Sequence, residues 1–259
     1  MAFVAFIGML PAAFAAAIAL FQNDFKRILA YSTISQLGYM FAGVGAGAYA
    51  AGIAHLSSHA FFKAALFLCA GAVLHALQGE GDIRKLGGLR KHMPHTHASF
   101  LVATLAITGV VPLSGFFSKD WILHELWGVR RFDAIWLGVP SLKLTWLGEA
   151  LWGLGLLTAF LTAFYMFRLY YLVFCGEFRG EGRPHEAPPV MTIPVWALAA
   201  LSVVALAVVL PGWNLFEAYY RGDWPPHLDL SHVPWPFLGA GWAAALAGWG
   251  VALAIYRRR

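Results

Sequence analysis

Charge is scarce in this chain. Only 12% of its 259 residues are charged, 60% are hydrophobic, and the mean hydropathy is +0.66. A soluble domain usually carries about twice that share of charge, so an ordinary soluble globule is excluded. Cysteine is scarcer. Cys69 and Cys175 both sit in or beside apolar segments and form no CxxC, zinc spacing or disulfide framework. No P-loop, GxGxxG turn, Ser/His/Asp triad or iron–sulfur cysteine array is present. The chain thus shows no means of redox chemistry or ATP hydrolysis of its own. Polar connections run to about 20–25 residues, too short to fold alone. A basic leader is missing too. Met1 runs straight into "AFVAFIGMLPAAFAAAIALF", so no cleavable signal is expected, and so abrupt a start would also suit a fragment. The net charge of +5 comes from short loops and a terminal "RRR" rather than a basic stripe interleaved with aromatics, which argues against nucleic acid.

What the chain does have is long apolar runs. They predict an all-α polytopic membrane protein of about seven transmembrane helices, near Ala2–Phe21, Ile28–Gly47, Gly52–Leu77, Ala98–Leu126, Ala150–Phe174, Thr192–Leu210 and Phe237–Tyr256. The second is the least apolar. Its "YSTISQLGYM" carries hydroxyl and amide side chains that belong in a bundle interior rather than in lipid. Lys26, Arg27, Arg84, Lys85, Arg90, Lys91, Arg179, Arg183 and Arg257 to Arg259 fall on one side of this topology. Arg130, Arg131, Lys143 and Arg221 fall on the other. The richer side is expected to be cytoplasmic. Trp136, Trp146, Trp213, Trp224 and Trp235 fall near span ends on the outer side, as an aromatic belt would.

The fourth span is too long for one straight crossing and holds Pro112 and Gly115 within "ITGVVPLSGFFSKDWIL". Proline removes a backbone donor and clashes with the preceding turn. A broken helix at membrane depth survives only where protein or a watery cavity satisfies the freed groups, and such helices commonly line ion paths in transporters. A simple proline kink is the plain alternative. Lys119 and Asp120, just beyond, favour the broken helix.

The sharpest feature is "HLSSHAFFKAALFL", which places Lys63 deep in an apolar span. A lysine at mid-bilayer costs roughly 2.5–3.5 kcal/mol on insertion scales. His55, His59 and Lys63 recur at i, i+4 and i+8 and so share one helical face, with Ser58 beside it. Histidine titrates near neutral pH, so this stripe reads as a proton relay. The alternatives are a lysine that only pairs helices, or a metal or haem on the two histidines. Against a metal, the helix offers no third carboxylate or thiolate ligand and places a cation one turn away. Lys119 and Asp120 form a second constellation, in which movement of Asp120 would change how Lys119 holds its proton. His124 lies one turn after Asp120 and extends the path outwards. A structural ion pair is the alternative. Arg168 either snorkels to the nearer surface or pairs with a carboxylate. His92, His95 and His97 read as solvated loop residues.

"DFKRILAYSTISQLGYMF", "HLSSHAFFKAALFLCAGAVLHAL" and "LGGLRKHMPHTHASFLVATLAITGVVPLSGFFSKDWIL" together resemble the antiporter-like, proton-pumping membrane subunits of respiratory complex I, NADH-quinone oxidoreductase, most closely the distal L type. The resemblance spans roughly residues 22–125 and is only generic after about residue 175. It implies that residues 1–175 form the second five-helix inverted repeat, with the broken helix fourth, and that 176–259 add further helices and loops. It implies that Lys63 is the central lysine of a hydrated axis, that His55 and His59 link towards a preceding half, and that Lys119 with Asp120 lies on the outward-leading half-channel. The family's earlier repeat and its long lateral helix are not in this sequence, so the resemblance also implies a fragment. It implies a multi-pass protein of the cell inner membrane, or the mitochondrial one in a eukaryote. Its partners would be the other membrane-arm subunits, above all the neighbouring antiporter-like subunit. No cofactor is expected in this chain, while NADH, FMN, iron–sulfur clusters and quinone would belong to other subunits. Other readings remain. They are a subunit of a multisubunit Na⁺/H⁺ antiporter of the Mrp type, a non-transporting structural bundle, and a membrane haem protein.

Overall fold

The computed structural model describes residues 1–129, 131–134, 139–144, 146–181, 183–205, 218–219, 222 and 235–257. The apolar runs form helices α1 (Ala2–Phe21), α2 (Phe25–Gly45), α3 (Tyr49–Ala76), α4 (Pro94–Thr108), α5 (Ser114–Trp127), α6 (Leu147–Phe174), α7 (Pro189–Val204) and α8 (Trp235–Tyr256). Among them α1, α3, α6 and α8 are each long and apolar enough to cross a membrane. The chain is a multi-pass membrane protein. The expected sixth span begins as α7, and its part beyond residue 205 lies outside the described residues.

α1 and α2 form a tight antiparallel pair because their interface is made of small residues. A Cβ at Gly8 would overlap the backbone of Phe41 and Ala42, and one at Gly45 would overlap the backbone of Val4 and Ala5. α3 runs through the middle of the bundle, packed by α2, α4, α5 and α7. The main core gathers around it, with Phe62, Leu66, Cys69 and Val73 fully buried against Phe25, Phe100 and Phe174.

The fourth span is broken, as the sequence predicts. α4 stops where Gly109 turns left-handed at φ +79°, its N–H reaching back to Ala106 and Leu105. A side chain there would be strained. The chain then turns through Val110–Leu113 and restarts at Ser114. Gly115 fits flush against the Ala106 carbonyl, where a Cβ would overlap. At its other end α4 begins with Pro94, and its first turn is capped from far along the chain. The Glu186 carboxylate accepts from the His95 and Thr96 amides at 2.7 and 3.3 Å and from the Thr96 hydroxyl at 2.6 Å.

The all-α bundle carries one short hairpin among its described connections. Between α5 and α6, β1 (Arg131–Ala134) pairs antiparallel with β2 (Val139–Lys143), Arg131 opposite Lys143 and Phe132 opposite Leu142. Two arms this short carry too little alternation to stand out in a sequence, yet pairing satisfies backbone groups in a connection that would otherwise need water. Of the expected belt tryptophans, Trp146 and Trp235 are exposed. Trp136, Trp213 and Trp224 lie outside the described residues, as do Arg130, Arg221, Arg258 and Arg259.

Candidate proton path

The polar residues of α2 fall on one face. Ser32, Ser35, Gln36 and Tyr39 follow i, i+3, i+4, i+7 spacing and are wholly buried. They meet the stripe of α3, where His55, Ser58, His59 and Lys63 are all 5% exposed or less. α5 closes the third side with Ser114, Ser118, Lys119 and Asp120, and α6 adds buried Thr158, Thr162 and Tyr165. A bilayer protein has thus collected most of its buried polar groups between four helices, as insertion energetics demand.

His55 is tied at both ring nitrogens. Nε2 lies 3.1 Å from Gln36 Oε1 on α2, and Nδ1 lies 2.8 Å from Ser118 Oγ on α5. Ser118 Oγ also donates to the Ser114 carbonyl at 3.0 Å and lies 3.2 Å from Ser58 Oγ. The proton inventory of this network suits a carrier. A charged imidazolium donates to Gln36 Oε1 and Ser118 Oγ, while Ser118 donates onward to Ser114. A neutral ring with its proton on Nε2 keeps both contacts by accepting from Ser118. Neither form strands a donor.

His59 is next along α3, its ring centroid 6.1 Å from that of His55 and edge-on to Phe62 at 5.4 Å. Its Nε2 has no hydrogen-bond partner among the described residues. One turn on, Lys63 donates to the Leu29 carbonyl of α2 at 2.9 Å, and its ammonium lies 5.8 Å from the Phe67 ring centroid. No carboxylate among the described residues stands at ion-pair distance from it.

Lys119 reaches from α5 back across the helix break and donates to the Ile107 carbonyl at 2.9 Å. Ile107 belongs to the last turn of α4, where carbonyls lack intrahelical partners and the helix dipole is negative. The break thus provides a site for a cation. The Lys119 ammonium also lies 5.6 Å from the ring centroid of Tyr39, whose hydroxyl donates to the Gly155 carbonyl on α6. Among the described residues, Asp120 makes no ion-pair contact with Lys119 within 4 Å. Its carboxylate is 4% exposed and meets α8, with Oδ2 unpartnered among the described residues. Successive helical residues project about 100° apart, so sequence neighbours need not touch. His124 is half-buried, edge-on to Phe237 at 5.0 Å.

Two minor expectations change. Arg168 is buried and, among the described residues, pairs with no carboxylate. It donates to the Gln22 carbonyl and to Asn23 Oδ1, both at 2.7 Å, and so clamps the α1–α2 turn. Two neutral oxygens at a helix end serve a guanidinium without burying a second charge. His95 and His97 belong to the first turns of α4 rather than to a loop, and His97 Nε2 sits 2.9 Å from the Tyr170 hydroxyl. Gln36 and Ser118 were not singled out as site residues in the sequence, although the buried-face spacing of α2 was the available signal for Gln36.

The described residues contain no group of three His, Cys, Asp or Glu placed to hold a metal ion. The family described as "NADH:quinone oxidoreductase/Mrp antiporter, TM" matches residues 1–145. NADH-quinone oxidoreductase subunit L of Rhodobacter capsulatus is 46% identical over 235 residues, covering 85% of this chain and 30% of that protein. NAD(P)H-quinone oxidoreductase chain 5 of Picosynechococcus sp. is 44% identical over 246 residues, covering 83% of this chain and 34% of the relative. The chain therefore spans about a third of the length of the curated relatives it matches. Among solved structures, the Mrp complex from Dietzia sp. aligns with a TM-score of 0.71 at 28% identity, covering 95% of this chain and 26% of that one. The membrane-bound sulfane sulfur reductase, an archaeal respiratory membrane complex, aligns with a TM-score of 0.67 at 28% identity, covering 83% and 33%. With its broken helix and its buried lysines and histidines in place, this chain belongs to the transmembrane family of NADH:quinone oxidoreductases and Mrp antiporters.

Proposed function

We propose that this chain is a proton-translocating part of a membrane-arm subunit of NADH:quinone oxidoreductase. Its residues 1–175 would form the second antiporter-like repeat, with 176–259 as additional helices. Protons would pass between Lys63, His59 and His55, and between Lys119, Asp120 and His124, with Gln36 and Ser118 holding His55. Quinone reduction elsewhere in the complex would drive the transfers. NADH, FMN, iron–sulfur clusters and quinone would be bound by other subunits, and this chain's residues would do proton transfer alone. Its partners would be the neighbouring membrane-arm subunits of an inner membrane.

The observation that carries this reading is a cluster of buried polar groups inside a membrane bundle, whose two buried lysines donate to backbone carbonyls and, among the described residues, form no ion pair with a carboxylate. A lysine so held is not locked as a salt bridge. Buried polar atoms with no hydrogen-bond partner among the described residues lie in the same cluster, among them Ser35 Oγ, Gln36 Nε2 and His59 Nε2. Polar atoms in this state are normally met by water.

The test is proton uptake driven by NADH oxidation in proteoliposomes holding the whole complex, comparing Lys63→Ala with wild type. The expected result is an assembled complex in which pumping and NADH oxidation fall together. Unchanged pumping would make Lys63 a structural cation and sink the reading. An Mrp-type antiporter subunit is the second reading, favoured by the Dietzia alignment. It predicts sodium-dependent proton movement without NADH, whereas the relatives with identities of 44% and 46% carry quinone oxidoreductase names.

A further inference from the structure

The Asp120 carboxylate lies against a glycine of α8. A Cβ at Gly241 would overlap its Oδ1, Cγ and Oδ2 together. Four residues earlier on α8, Phe237 packs edge-on against His124, itself four residues after Asp120 on α5. The two helices therefore match position for position, Gly241 to Asp120 and Phe237 to His124. α8 is pinned at both ends of this contact. Phe237 meets the rings of Trp127 at 5.6 Å and Trp152 at 6.0 Å. Further along, Trp249 stacks flat on Phe167 at 4.6 Å and donates Nε1–H to the Tyr171 hydroxyl at 2.8 Å. Between them Gly248 presses on the α6 backbone, where a Cβ would overlap the Phe160 carbonyl. A helix held this way cannot retreat from a methyl group added at position 241, so the carboxylate would have to move.

We propose that Gly241 is a positioning residue for Asp120. Its missing side chain forms a notch in α8 that holds the carboxylate away from Lys119, with Oδ2 unpartnered among the described residues, and Phe237 closes the notch at the level of His124. This rests on the reading that Asp120 exchanges protons. The notch defines one position of the carboxylate. Occupancy of that position leaves the Ile107 carbonyl as the acceptor of the Lys119 ammonium, beside the Tyr39 ring, and departure from it brings the two charges closer together.

The experiment uses the intact complex in proteoliposomes with two readouts. One is proton uptake driven by NADH oxidation. The other is the infrared carboxyl band of Asp120, identified by its loss in Asp120→Asn. Gly241→Ala is expected to move the band and to cut uptake several-fold. The Gly241→Ala/Asp120→Asn double variant is expected to be no worse than Asp120→Asn alone. Gly248→Ala adds the same methyl to the same helix without touching a carboxylate, and is expected to leave the band in place. An unmoved band in Gly241→Ala, an equal movement in Gly248→Ala, or a double variant worse than Asp120→Asn would each overturn the proposal. Should Gly241→Ala fail to assemble, Gly241→Ala/Asp120→Ala makes room for the methyl and is expected to restore assembly; failure of that rescue would also overturn it. If Asp120→Asn itself pumps normally, the proton-path reading falls, while a band moved by Gly241→Ala still places the carboxylate in the notch.

Discussion

Gln36 illustrates how much a single neutral side chain decides in this bundle. It gives His55 Nε2 its acceptor, and the histidine keeps its second contact only through Ser118. Gln36→Leu leaves a buried ring nitrogen of His55 without its partner, at a cost of about 1–3 kcal/mol. The expected outcome is a lower unfolding midpoint in detergent together with slower pumping. Gln36→Glu keeps the acceptor, so normal pumping in both variants would deny Gln36 any role in the path. At the basic end, Asp82 behaves differently. Three hydrogen bonds from the Arg84 guanidinium, at 2.9, 3.2 and 2.6 Å, and one from the Arg84 amide hold its carboxyl down at about 2. A carboxyl held below its unfolded value near 3.9 stabilises the fold above that pH and loses the contribution as pH falls. Amide exchange at Arg84 should therefore stay slow down to about pH 4 and speed up between about 4 and 2. In Asp82→Asn that acid step should vanish, and a step persisting there would assign it to another group. The stripe of His55, His59 and Lys63 was legible in the sequence because three ionisable side chains at i, i+4 and i+8 stand out against an apolar span. Gln36 and Ser118 were harder to read as site residues. Serine and glutamine on a membrane helix are common, and only the crossing of α2, α3 and α5 gives these two their partner.

At the scale of elements, the break between α4 and α5 is where sequence and geometry agree most closely. Pro112 and Gly115 announced it, and Lys119 then uses the carbonyl end it exposes. The partner of α4's other end could not be read locally, because the cap lies 91 residues further along the chain. Glu186 accepts from two backbone amides and a hydroxyl in the first turn of α4, as a capping side chain does, and a carboxylate there also complements the positive end of the helix. Loss of a cap costs about 0.5–2 kcal/mol. Glu186→Ala should bring faster hydrogen exchange at His95 and Thr96 with little change at the Gly109 end. Equal loosening at both ends would mean that the loop holds α4 by packing rather than by its cap. The Lys119–Asp120 pair carries the opposite lesson. Adjacent letters suggested an ion pair, but a helix turns consecutive side chains to different neighbours, and each found a partner on another element.

At the scale of the whole molecule, the loops at the basic end form one connected layer. The Phe25 amide donates to the Gly81 carbonyl and the Ile83 amide to the Asn23 carbonyl, both at 2.9 Å, so the α1–α2 and α3–α4 connections are stitched together. The Gly88 amide donates to the Cys175 carbonyl at 2.8 Å, which joins the connection after α6 to them. Arg168 fastens the α1–α2 turn to α6 from below. This layer carries Lys26, Arg27, Arg84, Lys85, Arg90, Lys91, Arg179 and Arg183. Lysine and arginine beside membrane helices resist translocation, so the layer should face the cytoplasm. A cysteine placed at exposed Lys91 in a chain whose two native cysteines are replaced tests this directly. A membrane-impermeant maleimide should label it in inside-out vesicles and leave it unlabelled in right-side-out ones. A cysteine at exposed Trp146, at the opposite end of α6 from this layer, should show the reverse. The reversed pattern at both positions would turn the bundle over. Asp120 and His124 would then lead inwards rather than outwards, and the direction assigned to the path would have to be exchanged. Labelling of both from one side would contradict the crossing of the membrane by α6.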